Sequence, residues 1–178
     1  PKSVYMVLTG LSVLLAIPML IRNEYVLHIF ISSFTFAICA MSYDLLVGYT
    51  GQASLGHAGL FSIGAYTAAA VSEWYKTSPW IGLMIGCLAS TMSSFAISIS
   101  STRLRGPFLV ISSLAFSEVW RIFVNNYAPL GGVNGIFNYA TYENVPTDPF
   151  LNKMFYYYLG LVFVVLSGIV IYWIAEHT

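Results

Sequence analysis

Long apolar segments, each about as long as a lipid bilayer is thick, constrain this chain more than any other feature of its sequence. A helix needs roughly 20 apolar residues to cross the hydrocarbon core of about 30 Å, and six segments of about that length follow one another along the chain. Only 8% of the 178 residues are charged, whereas soluble domains carry about 25%. The sequence therefore predicts an all-α fold, a polytopic transmembrane helix bundle that forms one domain over residues 1–178.

The predicted spans are separated by short polar connections and by one longer polar segment, residues 125–153. They cover residues 4–21, 25–47, 57–74, 80–101, 107–124 and 154–175. In the fourth span, five small residues recur every fourth position: Gly82, Gly86, Ser90, Ser94 and Ser98. Small residues at this spacing let two helices approach closely in lipid, so the pattern predicts helix packing on this face.

The basic residues indicate an orientation, because cytoplasmic loops retain Lys and Arg preferentially. Arg103 and Arg105 stand in the very short loop between the fourth and fifth spans, which we therefore place in the cytoplasm. The polar segment, residues 125–153, then lies outside, and both termini are cytoplasmic. The net charge is zero, so nothing in the composition indicates a nucleic-acid partner.

No pattern in the chain is typical of a catalytic or metal site. Cys39 and Cys87 lie in apolar segments without a CxxC or Cys/His spacing, so we expect neither a disulfide framework nor a metal site. The sequence has neither a GxSxG nor an HExxH motif, either of which would indicate an enzyme. Gly51 and Gly56 have the spacing of a phosphate-binding loop, but His57 follows where that motif needs Lys. The chain is therefore not itself an ATPase.

A glycine-rich stretch, residues 48–59, interrupts the apolar pattern between the second and third spans. It has four glycines in twelve residues, a density that weakens a helix. Irregular backbone at membrane depth is tolerated only where protein buries it or where it lines a watery cavity, and transporters use such breaks to hold solutes. A plain cytoplasmic turn is the alternative. The candidate residues along a substrate path are Gly48, Gly51, Gln52, Ser54, Gly56 and His57.

Glu118 and Arg121 stand three residues apart in the fifth span. At about 1.5 Å per residue from Gly106, Glu118 lies about 18 Å along the helix, just past the membrane midplane. Charges inside a membrane are costly unless they are paired, so the spacing predicts an intramembrane ion pair. A structural role and a role in gating or solute contact both remain open.

Several motifs together resemble a known family. The M-type permease subunits of high-affinity branched-chain amino-acid ABC transporters have a signature similar to residues 45–59, LLVGYTGQASLGHAG, and residues 64–67, GAYT. Two further stretches agree with that family in order and spacing. They are LRGP at residues 104–107, followed by Glu118 and Arg121, and GGVNGI at residues 131–136.

The resemblance implies a division of labour in the plasma (inner) membrane. In this family, two related permease subunits form the pathway and two cytoplasmic ATPase subunits drive transport. An external substrate-binding protein delivers leucine, isoleucine or valine. The chain would then hold no cofactor of its own, because the partner subunits bind ATP, and membrane lipid would surround it.

Two departures from the family pattern bear on these expectations. Asp44 stands where the family more often has Asn, and related urea-type permeases tend to carry Asp there. A urea or amide permease of the same superfamily is therefore an alternative, as is an unrelated secondary transporter or channel. The chain also stops near residue 178, where family members continue into a basic segment that docks on the ATPase. We therefore expect an N-terminal fragment of a longer permease.

Overall fold

The computed structural model describes residues 2–20, 23–51, 53–101, 104, 106–137 and 148–177. Over these residues the chain forms six α-helices and two short 3-10 helices, and no strand. Their order is α1 (Lys2–Leu20), α2 (Glu24–Thr50), α3 (His57–Tyr75), α4 (Pro79–Ser101), α5 (Pro107–Asn126), η1 (Ala128–Leu130), η2 (Gly132–Asn134) and α6 (Pro149–His177). The predicted all-α class, with a break between the second and third helices, is confirmed.

Four of the described helices are long and apolar enough to cross a membrane. The qualifying segments are Glu24–Tyr49, Pro79–Ile99, Pro107–Asn126 and Phe150–Glu176. The apolar part of α1 is shorter, Thr9–Leu20, and α3 is not among the four although it has 19 residues. Glycine, alanine, serine and Glu73 dilute the apolar character of α3, which instead packs against α4 and α5. The chain is a membrane protein.

Proline marks the start of α4, α5 and α6, at Pro79, Pro107 and Pro149. Proline is well tolerated at the first position of a helix, because its missing N–H would have no helical acceptor there and its φ angle is already helical. Before Pro107, Gly106 adopts a positive φ of 58°, a conformation that glycine reaches without steric cost.

The start of α6 corrects one predicted boundary. The sixth span was predicted to begin at residue 154, but the helix begins five residues earlier, and Lys153 lies inside it rather than in the external polar segment. Two interactions explain the extension. The Asn152 N–H donates to the carbonyl of Asp148 at 2.9 Å, and the Lys153 ammonium pairs with the Glu24 carboxylate at 2.9 Å. Lysine is itself a good helix former, so the helix extends through this position.

The chain divides into two compact units, Pro1–Leu45 with Asn144–Thr178, and Leu46–Glu143. In the first unit, helices α1, α2 and α6 meet around Leu27, Phe34, Tyr157 and Leu161, all buried. The ring of Tyr157 packs edge-on against Phe34, with ring centroids 5.1 Å apart. The prediction of one domain over residues 1–178 stays a prediction.

In the second unit, α3 and α4 approach so closely that only small residues fit between them. A Cβ added at Gly86 would lie 2.6 Å from the carbonyl oxygen of Gly64. One added at Gly82 would lie 2.8 Å from that of Ala68. The Ser90 hydroxyl donates to the carbonyl of Leu60 at 2.9 Å. The predicted packing face of the fourth span is confirmed at these three positions, whereas Ser94 and Ser98 are exposed.

The chain leaves α5 through a tight turn made of η1 and η2. Gly131 has a φ of 82°, and a Cβ there would collide with the carbonyl oxygen of Gly135, so no other residue fits. The turn places Leu130 in a buried cluster with Ala70 and Val124. The end of α5 is thereby tied to α3 within the second unit.

Candidate functional site

The glycine-rich break is shorter than the sequence predicted. Helix α2 continues through Gly48 to Thr50, and α3 already begins at His57, so the described residues that depart from helix here are 51 and 53–56. A glycine costs a helix about 1 kcal/mol, which is less than the cost of leaving backbone groups unpaired in hydrocarbon. Glycine density alone therefore did not break the helix at Gly48 or at Gly59.

Gly51 ends α2. Its N–H donates to the carbonyl of Val47 at 3.0 Å, which completes the last helical turn, and its φ is 62°. A left-handed glycine directly after a helix is a common termination, so Gly51 has a conformational reason to be glycine. Gln52, another predicted path residue, lies outside the described residues.

The break contacts α5 through the backbone of Leu55. The Leu55 N–H donates to Ser113 Oγ at 2.9 Å, and Ser117 Oγ donates to the Leu55 carbonyl at 3.0 Å. Both polar groups of this residue are thus bonded to hydroxyls one helical turn apart on α5. Backbone outside a helix needs such partners wherever water is scarce.

Two glycines make this approach possible. A Cβ added at Gly59 would lie 3.0 Å from the Cα and from the Oγ of Ser117, tighter than most real Cβ contacts, so the neighbouring atoms would have to shift. At Gly56 a Cβ would lie 3.4 Å from the Cβ of Ser113, an ordinary contact distance. Both glycines are buried. Gly59, which we did not include among the path residues, is therefore the sterically stricter of the two.

Ser54 and His57, the remaining predicted polar residues, lie beside the start of α3. Ser54 Oγ accepts a hydrogen bond from the Gly56 N–H at 3.2 Å, a side-chain-to-backbone turn that competes with helix formation. His57 is the first residue of α3 and is half-buried. Ser54 thus helps to shape the break, and the two side chains lie at its edge, next to α3.

Above the break, the contact between α3 and α5 continues. The Trp120 indole N–H donates to Ser62 Oγ at 3.0 Å, and the Gly59 N–H donates to Ser117 Oγ at 3.3 Å. Together with the Leu55 bonds, these join residues 55–62 to residues 113–120 along two helical turns. The break is therefore one end of an extended hydrogen-bonded seam.

Glu118 and Arg121 form an ion pair on α5. The Arg121 Nε–H donates to Glu118 Oε2 at 3.0 Å. The side chain of Arg121 is 61% exposed and that of Glu118 is 51% exposed. Ser113 and Ser117 are four residues apart, on one side of the helix, and they contact the break and the start of α3. The structure thus forms the pair and keeps it on the exposed side of α5.

Sequence reasoning missed the serines that contact the break. Ser113 and Ser117 stand at helical spacing in a largely apolar segment, and a polar stripe in a membrane helix faces protein or water rather than lipid. That signal was available. Nothing in the sequence indicated that the partner would be the backbone of Leu55. Among the residues that the structure describes, no group of three or more His, Cys, Asp or Glu side chains could hold a metal ion.

Comparison with known proteins adds a second, independent finding. Residues 25–178 match the family described as the branched-chain amino acid transport system / permease component. The chain is similar to the high-affinity branched-chain amino acid transport system permease protein LivM of Salmonella typhimurium, with 33% identity over 159 residues. It is 30% identical to LivM of Escherichia coli over 159 residues. No solved structure matches.

These alignments cover 76% of the chain but only 37% of each relative. The chain therefore spans about a third of the length of the curated relatives that it matches. The family match itself extends over most of the chain, from the start of α2 to its last residue. The chain belongs to the branched-chain amino acid transport system permease family.

Proposed function

We propose that this chain is part of the permease subunit of an ATP-driven importer for leucine, isoleucine and valine. Its pathway would be formed with a second, related permease. Two cytoplasmic ATPase subunits would supply energy, and an external binding protein would deliver the amino acid. The names of the two relatives and the family match support this assignment. We propose no catalytic role for the chain, whose glycine-rich stretch lacks the lysine of a phosphate-binding loop.

The observation that carries the proposal is the break at residues 51–56, which is supported from α5. A short non-helical segment next to the start of a helix offers both N–H and C=O groups. An amino acid carries a carboxylate and an ammonium, so it needs both kinds of partner. Backbone groups and hydroxyls provide them without a fixed charge that would trap the solute. Gly48, Gly51, Gln52, Ser54, Gly56 and His57 remain our candidates for the border of the path.

The proposed orientation places both termini and the loop with Arg103 and Arg105 on the cytoplasmic side of the inner membrane. The excess of basic residues in short cytoplasmic loops is the physical basis. The polar segment, residues 125–153, would face outward, where the binding protein arrives. The turn after α5, with Gly131 and Gly135, would then lie on that outer side.

The second candidate substrate is urea or a small amide. Asp44, exposed on α2, is the observation that favours it, because related urea-type permeases tend to have Asp at this position. An uncharged solute with amide N–H groups would use a carboxylate acceptor, whereas a zwitterion brings its own carboxylate.

Uptake by the complete transporter tests both candidates. The full-length permease would be reconstituted in proteoliposomes with its partner permease, ATPase and binding protein. We expect ATP-dependent accumulation of leucine, isoleucine or valine, and competition among the three. Accumulation of urea without accumulation of these amino acids would select the second candidate. Accumulation of solute without the ATPase subunits would reject the importer.

A further inference from the structure

The backbone of Leu55 has no helical partner for either of its polar groups, because residues 51–56 lie between two helices. In water such groups would be solvated, but in a membrane protein they must be satisfied by protein or by a watery cavity. Here both are satisfied by α5, through Ser113 Oγ at 2.9 Å and Ser117 Oγ at 3.0 Å. Two hydroxyls on one neighbouring helix thus replace the missing helical partners.

Each of these two serine hydroxyls also contacts polar groups other than those of Leu55. Ser113 Oγ donates to the carbonyl of Val110 at 2.9 Å, so its oxygen is oriented to accept the Leu55 N–H. Ser117 Oγ accepts the Gly59 N–H at 3.3 Å and lies 3.2 Å from the carbonyl of Ser113. The hydroxyl positions are therefore fixed by α5 and by the first turn of α3, not by the break itself.

Packing limits movement in the same place. A Cβ added at Gly59 would lie only 3.0 Å from the Cα of Ser117, so the two backbones nearly touch. Above this point Trp120 is bonded to Ser62. Close backbone contact and a row of hydrogen bonds are features of a rigid interface, since packed interiors are not continuously deformable.

From these contacts we infer that Ser113 and Ser117 are positioning residues, which fix the break against α5 so that the two move as one body during transport. The inference rests on the proposed transport function for its consequence. The solute path would then open and close through motion at other helices, while the border formed by residues 51–56 stays constant relative to α5.

Amide hydrogen exchange in the full-length permease tests the anchoring without requiring transport. Ser113→Ala removes the acceptor of the Leu55 N–H, and Ser117→Ala removes that of the Gly59 N–H. We expect about tenfold faster exchange at the affected amide, the factor associated with one lost hydrogen bond. Ser117→Thr, which keeps a hydroxyl, should restore protection at Gly59. Unchanged exchange in both alanine variants would overturn the inference.

A matched control for this experiment is Ser93→Ala. The hydroxyl of Ser93 donates within its own helix, to the carbonyl of Ala89 at 2.8 Å, so its removal should not change exchange at Leu55 or Gly59. If Ser93→Ala accelerates exchange there as strongly as Ser113→Ala does, the effect reports general loosening, and specific positioning by Ser113 is wrong.

A reversible cross-link distinguishes an anchored break from a moving one. The Cβ atoms at residues 56 and 113 would be 3.4 Å apart, close to the range of about 3.5–4.5 Å in disulfides. Gly56→Cys and Ser113→Cys would be introduced together, in a protein in which Cys39 and Cys87 have been replaced by Ser. In the reduced state, loss of the Ser113 hydroxyl should lower uptake. Oxidation should restore it, because the covalent bond replaces the hydrogen bond.

Three outcomes would contradict the inference: no cross-link, equal uptake in both redox states, or uptake abolished by oxidation with the complex still assembled. The last would mean that the break must leave α5 during transport. Ser113→Cys alone is the control: it should lower uptake in both redox states, because no second thiol is present to form the bond. Failure of the proposed function is recognised separately, because the parent complex would then not accumulate the amino acid at all, whereas exchange and cross-linking need no substrate.

Discussion

The phenolic hydroxyl of Tyr157 donates a hydrogen bond of 2.7 Å to the carbonyl of Leu14. This carbonyl would ordinarily accept the N–H of the residue four positions later, but that residue is Pro18, which has no N–H. A side chain of α6 thus supplies the donor that the proline removes from α1. Tyr157 and Pro18 are both fully buried, so the exchange takes place inside the first unit.

The first prediction concerns the Tyr157 hydroxyl, which replaces the N–H that Pro18 lacks as the donor to the Leu14 carbonyl. Tyr157→Phe should destabilise the protein by about 1–3 kcal/mol, because it leaves a buried carbonyl unsatisfied. In a Pro18→Ala background the helix regains its own N–H, so the same change should cost about 1 kcal/mol less. Thermal or denaturant unfolding in detergent measures all four variants. Strictly additive effects would remove the link between Tyr157 and Pro18.

A second prediction concerns the contact of α3 with α4. Gly86→Ala should destabilise by about 1–3 kcal/mol, the usual range for overpacking, because the new Cβ would meet the Gly64 carbonyl at 2.6 Å. Gly168→Ala in α6 is the matched control, since nothing lies within 4 Å of its added Cβ. That variant should gain about 0.5–1 kcal/mol from helix propensity. A Gly86→Ala protein as stable as the control would show that the helices can separate.

Glu118 and Arg121 lead to a third prediction, which follows from our expectation that the pair lies within the membrane. Glu118→Gln should lower the yield of assembled transporter, because Arg121 then keeps its charge in an apolar segment without its partner. Adding Arg121→Gln should recover part of the yield. The amount of complex purified in detergent is the measurement. If the two changes are additive, the pair contributes nothing beyond its separate members.

The fourth prediction concerns the break. Gly51→Val should abolish or strongly reduce uptake while assembly persists, because a β-branched residue at a φ of 62° costs about 1–2 kcal/mol and shifts the local backbone. Gly10→Ala is the control, since Gly10 lies in α1 and nothing is within 4 Å of its added Cβ. Uptake should be scored separately from basal ATP hydrolysis. Normal uptake in Gly51→Val would reduce residues 51–56 to an ordinary connection.

Topology gives a fifth prediction. A cysteine introduced by Ser101→Cys, in a protein that lacks Cys39 and Cys87, should react with an impermeant thiol reagent only after the cytoplasmic side is exposed. A cysteine introduced by Val133→Cys, at a position that is 86% exposed, should react from outside in intact cells. The opposite pattern would reverse the orientation, because the basic loop would then be external.

The helix positions followed from the sequence to within a few residues, because hydrophobic length and proline are local signals. Pro79, Pro107 and Pro149 begin helices in the structure, as a proline after a polar connection indicates. The sequence places the start of the sixth span at residue 154, after Lys153, because a lysine there is typical of a polar connection. The helix begins at Pro149. The pairing of Lys153 with Glu24, 129 residues earlier, is a tertiary contact that no local pattern reveals.

The candidate site shows the same division. Gly51 could be predicted as a point of interruption, since a glycine-rich stretch in an apolar sequence weakens a helix wherever it stands. The sequence could not decide that Gly48 would remain helical, or that Gly59 rather than Gly56 would meet a neighbour most closely. Those outcomes depend on whether another helix supplies hydrogen-bond partners and occupies the space.

Composition, apolar length and the glycine-rich motif by themselves determined that this protein is an all-α membrane protein, because the bilayer demands roughly 20 apolar residues per span irrespective of their partners. Only the tertiary structure decided what supports the break and what completes α1 after Pro18. In both places a backbone group without a helical partner is satisfied by a hydroxyl from a distant helix. Such pairings depend on helix packing, which brings together residues that are 58 and 143 positions apart.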